Sequence, residues 1–221
     1  MVCGQLENFS PCSVPMKFSE PDIRARALRG LLRDVPAVPT RGDNDMNDMA
    51  PMIPAGVKPK LAAVLVPIVL RESELTLLLT QRNDSLSSHA GQVAFPGGCI
   101  DDSDEDAVAA ALREAEEETG LARSFVEPVG FLDNYMTLTA YQVVPVVALV
   151  KPGFTITPQA DEVSAVFEVP LQFLMAPENH ETHSREWQGK LRYFYAMPYR
   201  GRYIWGATAG MIRNLYDRLY A

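Results

Sequence analysis

Three glutamates, Glu114, Glu117 and Glu118, follow Arg113 at the end of a segment whose apolar residues recur at helical spacing. Read as one helix from Asp104 to Glu118, the segment turns about 100° per residue and gathers the three carboxylates into an arc of roughly 100°. Glu116 projects elsewhere and reads as solvated surface. Val108, Ala111, Leu112 and Ala115 form an apolar stripe beside the acidic arc, so one side of the helix packs while its neighbour faces a cavity. Like charges at this spacing cost only about 0.2–0.5 kcal/mol per pair, and repulsion alone does not require a cation. The flanks add more. Phe95-Pro96-Gly97-Gly98 closes an apolar strand, an acidic loop follows, and Gly120 stands where a left-handed residue would end the helix. Such a carboxylate face suits hard divalent cations, which take oxygen ligands, retain waters and bind substrate phosphate. The chemistry expected is pyrophosphate cleavage, in which charge neutralisation, positioning and activation of water do most of the work.

These residues resemble the Nudix box of the Nudix hydrolases: Gly, five residues, Glu, seven residues, then Arg-Glu-apolar-any-Glu-Glu-any-Gly-apolar. Gly98, Glu105, Arg113, Glu114, Ala115, Glu117, Glu118, Gly120 and Leu121 fill it, with six residues instead of five between Gly98 and Glu105. The longer spacing is similar to the coenzyme A pyrophosphatase branch, as is Leu78-Leu79-Thr80-Gln81-Arg82 leading through Gly91 to Phe95. Asn83 and Ser87 depart from that branch, which has Ser and a basic residue there. The resemblance runs from about Leu61 to the C terminus, and Ile204 to Ala209, with Trp205, is similar to a C-terminal segment of the same branch.

The resemblance implies an α/β (α+β) fold, an α/β/α sandwich with a mixed central sheet. It implies Mg²⁺ or Mn²⁺ as cofactor, with Glu117 and Glu118 as main ligands, the Gly97 carbonyl as a further one, and Glu114 as a ligand or the base that deprotonates water. Arg113 is expected to orient the carboxylates and to pair with Glu105, which with Gly120 is structural. In Asp161-Glu162-Val163 a loop carboxylate completes the site, and Glu162 is preferred to Asp161 or Glu168. Arg82 is the candidate for substrate phosphate because its fork binds oxygens bidentately. Gly98 and His89 are expected to line the substrate pocket. The implied reaction converts coenzyme A, or an acyl-coenzyme A, to 3′,5′-ADP and (acyl-)4′-phosphopantetheine. Another nucleoside diphosphate derivative, such as ADP-ribose or NADH, is the alternative substrate. A non-catalytic ligand sensor is the alternative class, and it has no need of an intact set of carboxylates.

The remainder of the chain supplies the frame. With 221 residues and 47% hydrophobic content a single substantial core is expected. The net charge of −8 argues against a nucleic-acid surface, leaving a small-molecule partner. An acidic protein still takes an anionic substrate where metal ions and local arginines reverse the field. Cys3, Cys12 and Cys99 lack disulfide or zinc spacing, no apolar run approaches a membrane span, and Met1 to Cys12 does not read as a signal peptide. A cytoplasmic location is expected. Ser19-Glu20-Pro21-Asp22 reads as a helix start, with Ser19 as cap and the helix running to about Leu32. Residues 34–56 read as a linker or long surface loop, which divides the chain into residues 1–57, helix and linker, and 58–221, the catalytic domain. Leu61 to Leu70 and Leu75 to Gln81 read as a hairpin, and Gln92 to Phe95 as a short strand. Val126 to Tyr135 and Tyr141 to Val150 read as strands, the second central because it is almost wholly apolar. Val163 to Val169 reads as a strand followed by a short helix near Pro170. His180 and His183 fall in an expected polar loop, before antiparallel strands Leu191 to Tyr199 and Tyr203 to Trp205 and a closing helix, Thr208 to Tyr220.

Overall fold

The structure, a computed structural model, describes residues 18–47, 58–86, 88–187 and 189–221. Cys3, Cys12, Ser87 and the end of the expected linker lie outside the described residues. Helix α1 (Glu20–Gly30) and strand β1 (Arg41–Gly42) precede the long strands β2 (Lys60–Leu70) and β3 (Leu75–Arg82). Strands β4 (Val93–Ala94) and β5 (Gly97–Cys99) lead into helix α2 (Ala107–Thr119). Next come β6 (Val126–Phe131), β7 (Tyr135–Met136), β8 (Tyr141–Val150), β9 (Val163–Pro170) and the short helix α3 (Leu171–Leu174). Strands β10 (Glu181–Trp187), β11 (Lys190–Tyr199) and β12 (Arg202–Trp205) and helix α4 (Gly206–Leu219) close the chain.

Strands β2 and β8 pair in parallel from Lys60↔Tyr141 to Val69↔Val150, at the centre of a mixed sheet of nine strands among the described residues, ordered β1-β7-β8-β2-β3-β4 with β5 also paired to β2, β6 to β8 and β9 to β3. Their nearly unbroken apolar sequences follow from burial on both faces. Alternation along the strands sorts the core into two layers. Ala63, Leu65, Leu78, Val146 and Ala148 face α2, which meets them through Ala107, Ala110, Ala111 and Ala115. Val66, Ile68, Leu77, Leu79, Val147 and Leu149 face the opposite side, where α1 contributes Ile23 and Ala27 and α4 contributes Ile212 and Leu215. The arrangement is therefore the expected sandwich with a mixed central sheet. Among the described residues no helix is long and apolar enough to cross a membrane.

Several expectations shift. Helix α2 starts at Ala107, capped by Asp106 accepting from the Ala109 N–H at 2.8 Å, so Asp104 and Glu105 belong to the preceding loop. Its buried stripe is the alanine series, with Val108 and Leu112 only partly buried, because short side chains let the helix lie close to the sheet. The span 126–135 is broken into β6 and β7 by an interval that follows a register shift between Pro128 and Gly130. Part of the expected loop 34–56 joins the sheet: Arg41 aligns with Tyr135, and Asp43 accepts from the Tyr135 hydroxyl at 2.9 Å and the Leu138 N–H at 2.7 Å. A two-residue strand has no periodicity to reveal it. Ser19 holds the cap position of α1 without a side-chain cap bond, and the helix ends at Gly30. The expected polar loop around His183 is strand β10, paired along its whole length with β11. His180 is buried, its Nε2 2.7 Å from the Leu174 carbonyl oxygen.

Candidate active site

Strand β5 pairs with β2 through Gly97↔Val64 and Gly98↔Ala63, and this pairing places the turn under α2. Gly97 has φ 154°, and a Cβ there would run into the Ala63 carbonyl and Val64. At Gly98 a Cβ would lie 2.5–2.6 Å from the Glu114 carboxyl atoms. Gly97 is therefore imposed by the backbone, whereas a side chain at Gly98 would displace the Glu114 carboxylate.

Glu118 is 4% exposed, and its Oε2 accepts from the Gly97 N–H at 3.1 Å. Arg82 Nη1 lies 3.7 Å from Glu118 Oε1. Burial outweighs both favourable contacts, and with repulsion from Glu114 and Glu162 it pushes the Glu118 carboxyl up to about 7. Burial likewise raises Glu114, against the pull of Arg113, whose Nη1 lies 2.9 Å away. Glu117 is the outer member, with its side chain 61% exposed and its Oε2 3.2 Å from Arg113 Nη1.

Arg113 contacts Glu114 and Glu117, but its main partner is not the one expected. Its Nε and Nη2 grip Asp104 at 3.0 and 2.9 Å, and Nη2 also donates to the Cys99 carbonyl at 3.2 Å. These hydrogen bonds hold the Asp104 carboxyl down at about 2. Glu105 is exposed and is not the partner, because the late start of α2 leaves it outside the helix. A signal for this was available: five residues separate Gly98 from Asp104, the spacing of the family box.

The other expected residues divide. Glu162 acts on both Glu114 and Glu118 by repulsion, which sets its carboxylate on their side. Asn83 ties this loop to the end of β3, its side chain donating to the Ala160 carbonyl at 2.7 Å and its N–H to the Glu162 carbonyl at 2.8 Å. Glu168 is engaged elsewhere by Arg71 and Thr76. Arg82 Nε is buried and has no hydrogen-bond partner among the described residues. His89 is exposed, with φ 56° and its Nδ1 3.0 Å from Gln92 Oε1. Glu116 faces outward as expected, 3.1 Å from Arg123 Nε. Cys99 is exposed.

Among the described residues no three His, Cys, Asp or Glu side chains converge as a ready metal cage. Arg113 draws Glu114 and Glu117 to itself, and Glu118 is turned to the Gly97 N–H. The donors are nonetheless all oxygen, and Glu114 and Glu118 carry a burial and repulsion penalty that a hard cation would relieve. The residues thus fit a divalent ion in chemistry.

The NUDIX domain model matches residues 59–189. The chain belongs to the Nudix hydrolase family. It is 47% identical over 154 residues to an Escherichia coli K12 protein described as the uncharacterized Nudix hydrolase NudL, covering 70% of this chain and 80% of that one. Among solved structures, a C. elegans Ap4A hydrolase binary complex is 21% identical, covers 50% of this chain and 80% of that chain, and has a TM-score of 0.44. The M. smegmatis Nudix hydrolase RenU is 17% identical, covers 72% and 84%, and has a TM-score of 0.46. This Nudix protein is accordingly a hydrolase acting on pyrophosphate bonds, in a family that typically uses divalent metals and small nucleotide derivatives.

Proposed function

We propose that the protein hydrolyses the pyrophosphate of coenzyme A and acyl-coenzyme A, giving 3′,5′-ADP and (acyl-)4′-phosphopantetheine, with Mg²⁺ or Mn²⁺ as cofactor. The observation that carries the reading is Arg82 beside the buried Glu118, with a buried, unpartnered Nε. Arg82 ends the Leu78 to Arg82 segment that resembles the coenzyme A branch. A guanidinium with unused donors next to under-satisfied carboxylates suits a phosphate that arrives together with a cation.

In this reading Glu117, Glu118, Glu114 and the Gly97 carbonyl would hold the ion, which would supply charge neutralisation for the phosphates and a lowered pKa for water. Arg113, fixed by Asp104, aligns Glu114 and Glu117. Arg82 and the Gly98 turn receive the phosphates. Glu162 takes the proton of the attacking water, since among the described residues its carboxylate has no hydrogen bond or ion pair, whereas Glu114 is held by Arg113. Residues 58–221 supply all of these groups, and the described residues ahead of them, 18–47, contribute packing.

The test is a comparison of kcat/KM for coenzyme A, acetyl-coenzyme A, dephospho-coenzyme A, ADP-ribose and NADH at one Mg²⁺ concentration. Coenzyme A or its acyl form should lead. A tenfold advantage for ADP-ribose or NADH, about 1.4 kcal/mol of transition-state preference, overturns the substrate and leaves the pyrophosphate chemistry standing.

A further inference from the structure

Glu162 sits in an exposed turn between the end of α2 and the start of β9. On the α2 side the chain hangs from backbone alone: the Thr157 N–H donates to the Thr119 carbonyl at 2.8 Å, and the Gln159 N–H to the Glu118 carbonyl at 2.9 Å. The turn closes on the Gln159 carbonyl, which accepts from the Glu162 and Val163 N–H groups at 3.0 and 2.8 Å. Beyond it Arg82 aligns with Val163, after a register shift that leaves Ser164 as the extra residue opposite the Gln81–Arg82 step. The Ser164 hydroxyl holds this bulge by donating to the Gln81 carbonyl at 3.2 Å.

Between these supports, two carbonyls of the turn meet one residue. Asn83 donates its backbone N–H to the Glu162 carbonyl at 2.8 Å and its side-chain Nδ2 to the Ala160 carbonyl at 2.7 Å. One bond would let the turn swivel about it, whereas two donors from a single residue to carbonyls two positions apart fix its orientation. The amide cannot flip, because its Oδ1 accepts from the Ser85 N–H at 3.0 Å and a backbone N–H can only donate. Asn83 also follows directly on Arg82, whose Nη1 lies 3.7 Å from Glu118. The turn that carries Glu162 is therefore referenced to Glu118 at one end and to the neighbour of Arg82 at the other.

We infer that Asn83 is a positioning residue that acts through Glu162, its amide holding the turn in the orientation from which Glu162 takes the proton of the attacking water. The inference rests on the proposed role of Glu162 as base and is independent of which pyrophosphate is cleaved. It gives Asn83, where the coenzyme A branch has Ser, a task that a serine hydroxyl is too short to perform across the same gap.

The experiment measures kcat and KM for coenzyme A and ADP-ribose at saturating Mg²⁺ in wild type, Asn83→Ala, Asn83→Ser, Glu162→Gln and the double variant Asn83→Ala with Glu162→Gln. Glu162→Gln should lower kcat by roughly 10²-fold or more, as loss of a general base does. Asn83→Ala should lower kcat about tenfold with KM within about twofold, because the base is misplaced and substrate contacts are kept. Asn83→Ser keeps an acceptor for Ser85 but not the reach to Ala160, and should lose as much as Asn83→Ala. In the Glu162→Gln background Asn83→Ala should cost less than about twofold more, since a residue acting through Glu162 has nothing left to position. The same tenfold loss in both backgrounds overturns the inference, as does a raised KM with kcat unchanged. Asn83→Ser at the wild-type rate overturns it too, by showing that the bond to Ala160 is idle. Near-wild-type turnover in Glu162→Gln removes the base assignment and this inference together. Faster turnover of ADP-ribose than of coenzyme A overturns only the substrate, and a less than additive loss read on ADP-ribose still supports the role of Asn83.

Discussion

Two carboxylates, the half-buried Asp133 beside α4 and the buried Glu118 on α2, meet guanidinium groups and end in opposite electrostatic states. Asp133 accepts from Arg218 at 2.6 and 2.9 Å, from Asn214 at 2.8 Å and from Thr40 at 2.9 Å. Burial would raise this carboxyl, but those hydrogen bonds overcome it and hold it at about 2. Glu118 has one N–H at 3.1 Å and a guanidinium at 3.7 Å, and it rises to about 7. The difference lies in the supply of donors. A carboxylate saturated by donors is a clasp between elements, whereas one left under-satisfied beside like charges has an unmet need that a cation fills.

The largest effect expected from this contrast is loss of turnover in Glu118→Gln and Glu117→Gln, by roughly 10²-fold or more in kcat. Glu118→Gln keeps an acceptor for the Gly97 N–H and removes an unfavourable buried charge, so its Tm should equal or exceed that of the wild type. Chelation should abolish wild-type activity, and Mg²⁺ or Mn²⁺ should restore it. A steady-state assay with thermal melts decides the matter, and near-wild-type turnover in either variant breaks the metal assignment.

The clasp should behave in reverse. Asp133→Asn strips the charge from Arg218 and should destabilise the fold by about 3 kcal/mol, leaving kcat of the folded protein within about twofold. The pH dependence follows from the sign of the shift. Asp133 titrates lower in the folded protein, about 2, than its ordinary 3.8, so the unfolded chain binds the extra proton first as pH falls. The stabilisation is complete above about pH 4 and disappears as pH drops toward 2. Urea midpoints between pH 5 and 2 should therefore fall more steeply for the wild type than for Asp133→Asn. Parallel slopes would show that Asp133 is not the clasp.

Long-period features were legible in the residues alone. The alternation and apolar runs of β2, β3 and β8, the αL position at Gly120 (φ 74°) and the shared face of Glu114, Glu117 and Glu118 all follow from local periodicity. Features made by a single long-range contact were not. Strand β1 is two residues held to β7, His180 is buried by the Leu174 carbonyl and the Tyr216 ring, and Arg202 gains its setting from Phe167 and Gln81. Glu118 belongs to both groups. Its position on the helix could be counted, but its burial against Gly97 depends on how closely an alanine face lets α2 approach the sheet.

The smallest effect separates two neighbouring acids, and it sharpens the contrast between clasp and site inside the site itself. Asp104 is a clasp by the same measure as Asp133: two guanidinium hydrogen bonds, at 3.0 and 2.9 Å, hold it at about 2. It also accepts from the Asp101 N–H at 2.9 Å, which fixes the loop, and it reaches Glu114 and Glu117 through Arg113, which makes it a positioning residue. Asp104→Asn keeps the shape but offers Arg113 one neutral oxygen in place of two charged ones, so the guanidinium should drift toward Glu114 and Glu117 and compete for their oxygens. The expected result is a fall of about tenfold in kcat, with a higher Mg²⁺ concentration needed for half-maximal rate and little change in KM for substrate. Glu105→Gln, one residue on and exposed, should stay within about twofold of the wild type, as should Glu116→Gln, whose partner is Arg123. A Mg²⁺ titration of the three variants tests the assignment, and a larger loss in Glu105→Gln than in Asp104→Asn would return the pairing of Arg113 to Glu105.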